Sequence, residues 1–503
     1  MHVSRWLLLL VAGLMPVAQA GNGGQEAKAS PVQGVWLGTL TTPGGSLRIQ
    51  VHVKSDASGK LTCEIDSVDQ GAMGNPCENV RLEGNKFSFD VPVVHGNWSG
   101  TLSDDGNELN GTWTQGGGLP LVLKRQAAPV APEKPKPPKY DPAMAPVSGE
   151  QIKTVLDRDL ADALKSGPLS PETHGAVVVG IIDHGKRQIF AYGGAKEDAI
   201  FEIGSISKTF TGLILAQMVE QHKVTLDQPV RELLPQGTVA KPSGREITLV
   251  DLATQHSGLP RMPDNFQPTN RDDPYADYGS KNLYEYVAKH GVSRPEQTTF
   301  EYSNLGFGLL GQALSSREAV SYPELLQREV TGPLGMNDTV VNLSAEQKSR
   351  FEQGHDAQHR EAHPWNLDAF AGAGAIRSTA SDMLKYLEAQ LHPDRAGRGS
   401  GGNSDSPSAT MGRAIELSHE LRSEAFPGMR VALAWLYIEE TGTYWHNGGT
   451  GGFNTYAFFN PKQDCAAVVL FNTTVLSNGG FADRLGQHIA QRLSGKPAVT
   501  LGD

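Results

Sequence analysis

The sequence has little clustered positive charge. Its 503 residues carry 44 lysines and arginines against 55 aspartates and glutamates, which gives a formal net charge of -11 at pH 7. The longest basic stretch is a short lysine–proline segment near residue 135. Because binding to a phosphate backbone requires clustered Lys and Arg, this balance argues against nucleic acid as a partner.

Long apolar runs are also scarce. The apolar stretch Trp6–Ala12 is soon interrupted by glycine and proline, and it falls short of the ~20 residues that span a bilayer. A basic start, this stretch and the small-residue pattern Ala18-Gln19-Ala20 predict a signal peptide over residues 1–20. No cysteine follows the predicted cleavage site, so we expect no lipid anchor. The interpretation is a periplasmic or secreted protein without a stable membrane span.

Cysteine is rare, with only three residues in the chain. In an oxidising compartment Cys63 and Cys77 can form a disulfide, but sequence alone leaves their pairing open. Cys465 precedes the apolar run 466–470, which indicates a buried small residue rather than a reactive thiol.

The first large segment, residues 31–125, has the pattern of an all-β module. Apolar and polar residues alternate in several short stretches, and turn-forming residues separate them. The stretch Gly34–Leu40 is echoed by Gly96–Leu102, which predicts equivalent strands in a small barrel or sandwich. A packed accessory module is the favoured interpretation, with a ligand cavity as the alternative. Residues 126–148 are rich in proline and predict an extended linker.

The second segment, residues 149–495, mixes helices and strands. Strands are predicted at both of its ends and helices between them, which favours an α+β domain whose antiparallel sheet is built from both termini. Predicted helices cover 151–165, 206–222 and 480–493, and predicted strands cover 176–183, 188–192, 431–439, 452–460 and 464–472. The polar, glycine-rich stretch 393–410 predicts a mobile surface loop.

The strongest chemical signal is Ser205-Ile206-Ser207-Lys208, the only S-x-x-K in the chain. A glycine precedes it and a helical apolar pattern follows, so the motif is expected in the first turn of a buried helix. Residues three apart on a helix face each other, which brings the amine of Lys208 near the hydroxyl of Ser205. A buried lysine loses its proton more readily and can then accept one from serine. A serine cap followed by a solvated lysine is the alternative.

Two further motifs are weak when taken singly. Tyr302 and Asn304 form a Y-x-N, in which the phenol can relay a proton and the amide can hold a substrate amide. The alternative is a turn with an asparagine helix cap. The stretch His446-Asn447-Gly448-Gly449 follows a strand-like segment, and its glycines would let a substrate lie against the backbone. The alternative there is a glycine hairpin with an exposed histidine.

In this order, S-x-x-K, Y-x-N and H-x-G resemble the serine β-lactamase and penicillin-binding protein superfamily. The chain is most similar to its class C β-lactamase branch, with related D-alanyl-D-alanine peptidases and esterases. Further stretches that carry the resemblance lie at 201–212, 247–260, 332–336 and 448–456. The resemblance covers about residues 150–495 and implies a β-lactamase/transpeptidase-like domain.

The resemblance also implies roles. Ser205 would attack a carbonyl and form an acyl-enzyme, while Lys208 and Tyr302 share the proton transfers. Asn304 would bind the substrate amide, and the backbone N–H groups of Ser205 and Gly449 would form the oxyanion hole. His446 and Gly448 would line the substrate.

One departure from the family pattern stands out. His446 occupies the place of the family's usual lysine, which faces the substrate carboxylate. Histidine is shorter and only partly charged near neutral pH, which leaves peptide and ester substrates open.

The expected activity is therefore hydrolysis of a β-lactam or of a D-alanyl-D-alanine-type peptide amide, with no cofactor and no metal. An esterase of the same fold and a penicillin-binding sensor acylated without turnover are the alternatives. His355, His359 and His363 are spaced four apart and could bind a metal from one helix face. Because the segment is very polar, a solvated segment is the favoured interpretation.

Overall fold

The computed structural model describes residues 30–501, apart from 43–44, 57–58, 71, 95, 116–117, 131–138, 271, 398–403 and 475–479. The predicted signal peptide and the centre of the predicted linker lie outside these residues. Within them, no helix combines the length and apolar character needed to cross a membrane.

The N-terminal part is one antiparallel sheet with the order β4-β3-β2-β1-β9-β8-β7-β6-β5. Its strands are β1 (Gly34–Thr42), β2 (Gly45–Ser55), β3 (Leu61–Ser67), β4 (Ala72–Pro76), β5 (Glu78–Glu83), β6 (Lys86–Val91), β7 (Gly96–Leu102), β8 (Glu108–Thr114) and β9 (Gly118–Gln126). The two ends of the sheet meet at Cys77, whose N–H donates to Cys63 O at 2.9 Å. A disulfide joins the two cysteines. The module is thus an almost closed barrel.

Aromatic side chains fill this barrel. The echoed tryptophans, Trp36 and Trp98, are both 0% exposed, and Phe87, Phe89 and Trp113 pack beside them. Each lies on an inward position of an alternating strand, which places its large apolar surface in the interior. These side chains form the hydrophobic core of the module.

The C-terminal part contains an eight-stranded antiparallel sheet with the order β12-β11-β20-β19-β18-β17-β16-β15. The remaining strands are β10 (Tyr140–Asp141), β11 (Val177–Asp183), β12 (Lys186–Tyr192), β13 (Phe201–Glu202), β14 (Arg377–Ser378), β15 (Ser423–Phe426), β16 (Met429–Val431), β17 (Leu436–Ile438), β18 (Thr443–Gly449), β19 (Asn454–Asn460), β20 (Cys465–Phe471) and β21 (Ala498–Val499). Strands from both ends of the domain therefore share one sheet, which confirms the predicted α+β class.

Helices cover both faces of this sheet. The α-helices are α1 (Ile152–Asp159), α2 (Ala161–Ser166), α3 (Ser207–Glu220), α4 (Leu249–Ala253), α5 (Ser280–His290), α6 (Asn304–Glu318), α7 (Tyr322–Leu326), α8 (Ala345–Lys348), α9 (Ala371–Gly374), α10 (Ala380–Leu391), α11 (Pro407–His419) and α12 (Phe481–Leu493). Short 3-10 turns span Val68–Gln70, Pro92–Val94, Gly204–Ile206, Val230–Leu233 and Pro393–Arg395, and a π turn spans Gln327–Thr331.

The central strands are apolar throughout because both of their faces are buried. In β11, Val178 and Ile182 join the core that contains α3 and α10, whereas Val177 and Val179 join the core beneath α1 and α12. Successive side chains of a strand point to opposite faces, so a strand covered on both sides needs apolar residues at every position. This explains the uninterrupted apolar run in β11.

Three sequence predictions differ from the structure. The predicted strand 431–439 is two strands, β16 and β17, separated where Ala434 adopts a φ of 71°. The predicted loop 393–410 already contains the first turn of α11, because Ser406 caps that helix by accepting from Ala409 N. The third difference concerns the linker, since β10 pairs with β21 and so belongs to the C-terminal part.

Candidate active site

Ser205 and Lys208 lie where a tight turn enters a fully buried helix. Ser205 is the middle residue of the 3-10 turn Gly204–Ile206, and α3 begins at Ser207. Every residue of α3 from Ser207 to Met218 is buried, whereas Ser205 keeps part of its surface exposed. The lysine is therefore enclosed in the core, and the serine faces solvent-accessible space.

The ammonium group of Lys208 is bound by three oxygens. Nζ lies 3.0 Å from Ser205 Oγ, 2.9 Å from Asn304 Oδ1 and 2.8 Å from the backbone oxygen of Ala373. The carbonyl oxygens of Asn304 and Ala373 can only accept hydrogen bonds. A neutral amine has two N–H groups, which these two oxygens take, so its lone pair is directed at the hydroxyl of Ser205.

Burial favours this neutral form. Lys208 is 0% exposed, and loss of hydration places the pKa of its amine well below the usual range, with repulsion from Arg261 acting in the same direction. Removing a charged amine from water disfavours the protonated state. The lysine is thus set up to accept a proton.

Tyr302 and Asn304 lie on an extended segment that enters α6. The helix cap is Ser303, whose hydroxyl accepts from Gly306 N at 2.8 Å. Asn304 is therefore free of capping and turns its oxygen to Lys208, which leaves its amide N–H groups as donors. The hydroxyl of Tyr302 is directed at Ser205, and the Nζ of Lys208 lies 4.8 Å from the Tyr302 ring centre.

Tyr302 stays protonated in the folded protein. Dense packing around its hydroxyl raises the pKa of Tyr302 to about 12, although the hydrogen bond with Ser205 and the charge of Arg261 oppose that rise. A phenol with this pKa donates a proton more readily than it accepts one near neutrality.

The third motif forms the end of β18. Residue 448 must be glycine because of its contact with the turn that carries Ser205, since a Cβ there would lie 2.0 Å from Ile203 O. Gly204 has a φ of +51°, and a Cβ on it would lie 2.6 Å from Gly449 N. The backbone of Gly449 therefore lies against the turn that carries Ser205, which is the arrangement that a pair of backbone oxyanion donors requires.

His446 is buried and neutral. Its Nδ1 lies 2.6 Å from Asn447 O and donates to it, which leaves Nε2 as an acceptor. Burial lowers the pKa of His446 to about 4. Its ring centre lies 6.5 Å from that of Tyr302. The sequence-based alternative of an exposed histidine is wrong, and the side chain carries no charge at neutral pH.

Several residues around Ser205 were not singled out by motif. The pocket at Ser205 is lined by Tyr275, Asn304, Trp365, Leu367, Phe370, Ala373, Gly374, Gly449 and Thr450. Tyr275 and Trp365 are in ring contact at 5.1 Å. Neither Tyr275 nor Trp365 belongs to one of the three motifs.

A buried ion pair supports one wall of this pocket. Glu202 Oε1 accepts from Arg377 Nη2 at 3.1 Å and from Trp365 N at 3.0 Å. Burial raises the pKa of Glu202, and the charge of Arg377 opposes it. The pair connects β13, which precedes Ser205, to the segment that carries Trp365.

The histidine segment is not a helix. His355 is 7% exposed and forms a β-bridge with Glu361, and His359 has a φ of 61°. The prediction of a solvated segment is therefore wrong at His355. Among the described residues, the His, Cys, Asp and Glu side chains that converge closely enough for a metal are Asp141, Asp159 and His488. The guanidinium of Arg492 already bonds both of those carboxylates, at 2.8 and 2.9 Å.

Comparison with known proteins shows the family of this chain. Residues 169–491 match the family model described as Beta-lactamase. The D-alanyl-D-alanine-carboxypeptidase/endopeptidase AmpH of Escherichia coli (strain K12) is 28% identical over 375 residues, which cover 70% of this chain and 92% of that protein. A beta-lactamase of Pseudomonas fluorescens is 24% identical over 360 residues, covering 63% of this chain and 93% of that protein. Penicillin-binding protein 4 of Amycolatopsis lactamdurans is 24% identical over 361 residues, covering 70% and 86%. The chain belongs to the β-lactamase family within the serine β-lactamase and penicillin-binding protein superfamily, and it is a serine hydrolase.

Proposed function

We propose that the protein hydrolyses a β-lactam or a D-alanyl-D-alanine-type peptide amide, with Ser205 as nucleophile and Lys208 as its base. The observation that carries this proposal is the bonding of Lys208. Two carbonyl oxygens occupy its N–H groups, so the lone pair of the neutral amine is left for the Ser205 hydroxyl. A positioned base of this kind is what a serine needs to attack an acyl carbon.

The acylation step follows from these positions. Ser205 Oγ attacks the substrate carbonyl carbon while its proton passes to Lys208 Nζ. The carbonyl oxygen gains negative charge, which the backbone N–H groups of Ser205 and Gly449 stabilise. Tyr302 then donates its proton to the departing nitrogen, and the C–N bond breaks. The ammonium of Lys208 returns a proton to the phenolate.

Deacylation regenerates the enzyme. A water molecule attacks the carbonyl carbon of the acyl ester and loses a proton to Lys208 Nζ. The bond between that carbon and Ser205 Oγ then breaks, and Lys208 returns the proton to Oγ as the acid product leaves. Asn304 holds the acyl group: its oxygen bonds Lys208, and its amide nitrogen, which has only a weak contact with Met262 Sδ at 3.8 Å, can donate to a substrate carbonyl.

The substrate class rests on the relatives and on the pocket. The names of the similar proteins describe a D-alanyl-D-alanine peptidase and β-lactamases. An esterase is the second candidate, and the observation in its favour is His446. A neutral, buried imidazole does not supply the cation that would select for an acidic substrate.

We infer that the protein is exported from the cytoplasm. The predicted signal peptide and the disulfide between Cys63 and Cys77 both agree with an oxidising compartment outside the cytoplasm.

The test is time-resolved intact-mass and absorbance analysis with a chromogenic cephalosporin, with Ser205→Ala as the comparison. Ser207→Ala is the matched control. The hydroxyl of Ser207 accepts from Ile376 N, whereas that of Ser205 contacts Lys208 Nζ. We expect an adduct and continuing colour in the wild type and in Ser207→Ala, and neither in Ser205→Ala. An adduct without turnover indicates a penicillin-binding sensor. Activity retained in Ser205→Ala contradicts the proposed nucleophile.

A further inference from the structure

We propose that Arg261 is the residue that binds the substrate's carboxylate, on the leaving-group side of the bond that is broken. This inference rests on the proposed function and makes it more specific: the preferred substrate carries an anionic group just beyond the scissile bond.

Arg261 is fixed to the Tyr302–Asn304 turn by its backbone. Its carbonyl oxygen accepts from Asn304 N at 3.0 Å and from Leu305 N at 3.2 Å. The residue before it is fastened to the same turn, because Ser303 Oγ donates to Pro260 O at 2.6 Å. The Cα of Arg261 therefore has a defined position relative to Tyr302. This preorganisation lowers the entropic cost of ordering the side chain when a ligand binds.

The turn is also held from its far side. Glu301 N donates to Gln255 O at 2.8 Å, and Ser303 N donates to the side-chain oxygen of Gln255 at 2.7 Å. Gln255 has a φ of 62° and is 3% exposed. A buried polar side chain in a left-handed conformation is an uncommon arrangement, and here it serves to hold the segment 255–261 against 301–305.

The side chain of Arg261 is unpaired. It is exposed, and its guanidinium carbon lies 5.1 Å from the ring centre of Tyr302. In the described part of the chain, no carboxylate comes within ion-pair distance of this guanidinium, and its N–H groups donate to no protein atom. The backbone of this arginine is fixed and its guanidinium group has no ion-pair partner. The planar N–H donors of such a group fit a carboxylate in a bidentate manner.

Its position matches the chemistry of the leaving group. Tyr302 protonates the departing nitrogen in the proposed mechanism, so the leaving group must lie beside the Tyr302 hydroxyl. In a D-alanyl-D-alanine peptide, and in a β-lactam, the carboxylate is attached to the carbon next to that nitrogen. Arg261 lies over the ring of the same tyrosine, which places its charge on the side where that carboxylate would be.

The other polar groups near the site are already engaged or uncharged. His446 is buried and neutral. The amide of Asn447 donates to Asp483 Oδ1 at 2.7 Å, on the α12 side of the sheet. Arg377 is paired with Glu202 beneath the pocket. Lys208 is bound by three oxygens. Arg261 is thus the cation at the site that is left to bind an anionic ligand.

The experiment compares two substrates that differ only in this carboxylate. They are the 3-carboxyphenyl ester of N-phenylacetylglycine and the matching unsubstituted phenyl ester, and the quantity measured is the ratio of their kcat/KM values. Because it is a ratio, changes in the reactivity of Ser205 or Lys208 cancel. A hydrogen-bonded charge pair corresponds to about a 10- to 100-fold effect, so we expect Arg261→Gln to lower the ratio by about that factor.

Three controls make the outcome specific. Arg261→Lys keeps the charge but loses the bidentate geometry and should give an intermediate ratio. Arg317→Gln removes an arginine that lies near the end of α6 and donates to Lys223 O, and it should leave the wild-type ratio unchanged. Raising the salt concentration to about 1 M should lower the wild-type ratio, because screening weakens an exposed charge pair.

The results distinguish the proposed role of Arg261 from the proposed role of Ser205. A wild-type enzyme that does not prefer the carboxylated ester, or an Arg261→Gln variant with the wild-type ratio, overturns the inference about Arg261. Hydrolysis of both esters that persists in Ser205→Ala instead overturns the proposed nucleophile, whatever the ratio.

Discussion

Lys208 Nζ lies 3.0 Å from Ser205 Oγ, and the two other oxygens that it contacts belong to carbonyl groups. This arrangement leaves one direction for the lone pair of a neutral amine. It also explains why an apolar helix tolerates a fully buried lysine: each polar atom of the amine has a partner, and the missing hydration favours the uncharged state.

Replacing Lys208 by arginine should abolish acylation. Arginine keeps a positive charge and does not release its proton in proteins, so it cannot act as the base. We expect the acylation rate measured by stopped-flow absorbance to fall by about 10²- to 10⁴-fold, the range for loss of general-base catalysis. Lys223→Arg, at a lysine paired with Glu318, is the matched control and should acylate at the wild-type rate. An arginine variant with normal acylation would show that Lys208 acts only by its charge.

Tyr302→Phe should affect amides more than activated esters. The variant keeps the ring and loses the hydroxyl, whose pKa of about 12 suits it to donate a proton. A departing amine needs that proton, whereas p-nitrophenolate does not. Steady-state assays should therefore show a large fall in kcat, about 10²- to 10⁴-fold, for an amide and a small fall for a p-nitrophenyl ester. Equal losses for both substrates would argue against a proton-donor role.

The adjacent glycines of β18 should respond differently to alanine. In Gly448→Ala the new Cβ would lie 2.0 Å from Ile203 O and 2.4 Å from Thr455 Oγ1. Overpacking of this kind costs about 1–3 kcal/mol or more in the free energy of unfolding. Gly449→Ala meets its nearest neighbour, Phe453 O, only at 4.0 Å and should fold with nearly wild-type stability. Urea denaturation of the two variants measures this difference in stability. Equal stabilities would mean that the close approach of β18 to Ile203 does not exclude a Cβ at residue 448.

Removal of Glu202 should destabilise the fold as well as the pocket. The carboxylate is 3% exposed and is bound by Arg377 and by Trp365 N. Leaving a buried arginine without its partner costs about 3–5 kcal/mol. We expect Glu202→Ala to lose stability on that scale in chemical denaturation. Glu202→Gln retains an accepting oxygen and should lose less; a larger loss in the glutamine variant would contradict this account.

Acid should weaken the protein below pH 6.5. Burial lowers the pKa of His446 to about 4 and that of His419 to about 3, from a usual value of 6.5. As the pH falls below 6.5 the unfolded chain binds protons that the folded protein excludes, so stability is lost in this window. Each histidine contributes a slope of up to about 1.4 kcal/mol per pH unit.

This dependence can be tested away from the nucleophile. His419→Gln should reduce the loss of unfolding free energy between pH 6.5 and 4.5, measured by urea denaturation at several pH values. His222→Asn, at an exposed residue, should keep the wild-type slope. An unchanged slope in His419→Gln would indicate that protons enter the folded protein at this residue without penalty.

The sequence was informative where a motif has fixed spacing. Ser205 and Lys208 are three residues apart on one turn, so helix geometry alone brings them together. The order of the three motifs identified the family, and strands at both ends of the domain predicted a shared antiparallel sheet. Each of these inferences depends on local periodicity or on pattern order, which a single sequence displays.

Other features depend on tertiary contacts and could not be predicted. Lys208 is bound by the backbone of Ala373, and any residue type supplies a carbonyl there. The lowered pKa of His446 reflects burial, which no spacing reveals. Arg261 immediately follows the family-like stretch 247–260 but belongs to no motif, and only the fold places it over Tyr302.

The turn Val431–Glu439 shows the same limit on a smaller scale. Its residues are apolar and strand-like throughout, so the pattern predicted one strand. The reversal occurs because Ala434 adopts a left-handed conformation and its N–H donates to Ala253 O at 2.9 Å. A contact with a distant helix, rather than a turn-forming residue, decides the geometry.

The pairing of β11 with β20 affects when the protein can fold. Ala176 N bonds Asn472 Oδ1 at 2.6 Å across 296 residues of chain, so the central sheet joins segments from opposite ends of the domain. Such non-local pairing slows folding, because the chain closure must precede the contacts that stabilise it. On a ribosome the sheet cannot be completed until its last strands have emerged. Gly449 can therefore meet Ser205 only after all the residues between them have left the ribosome.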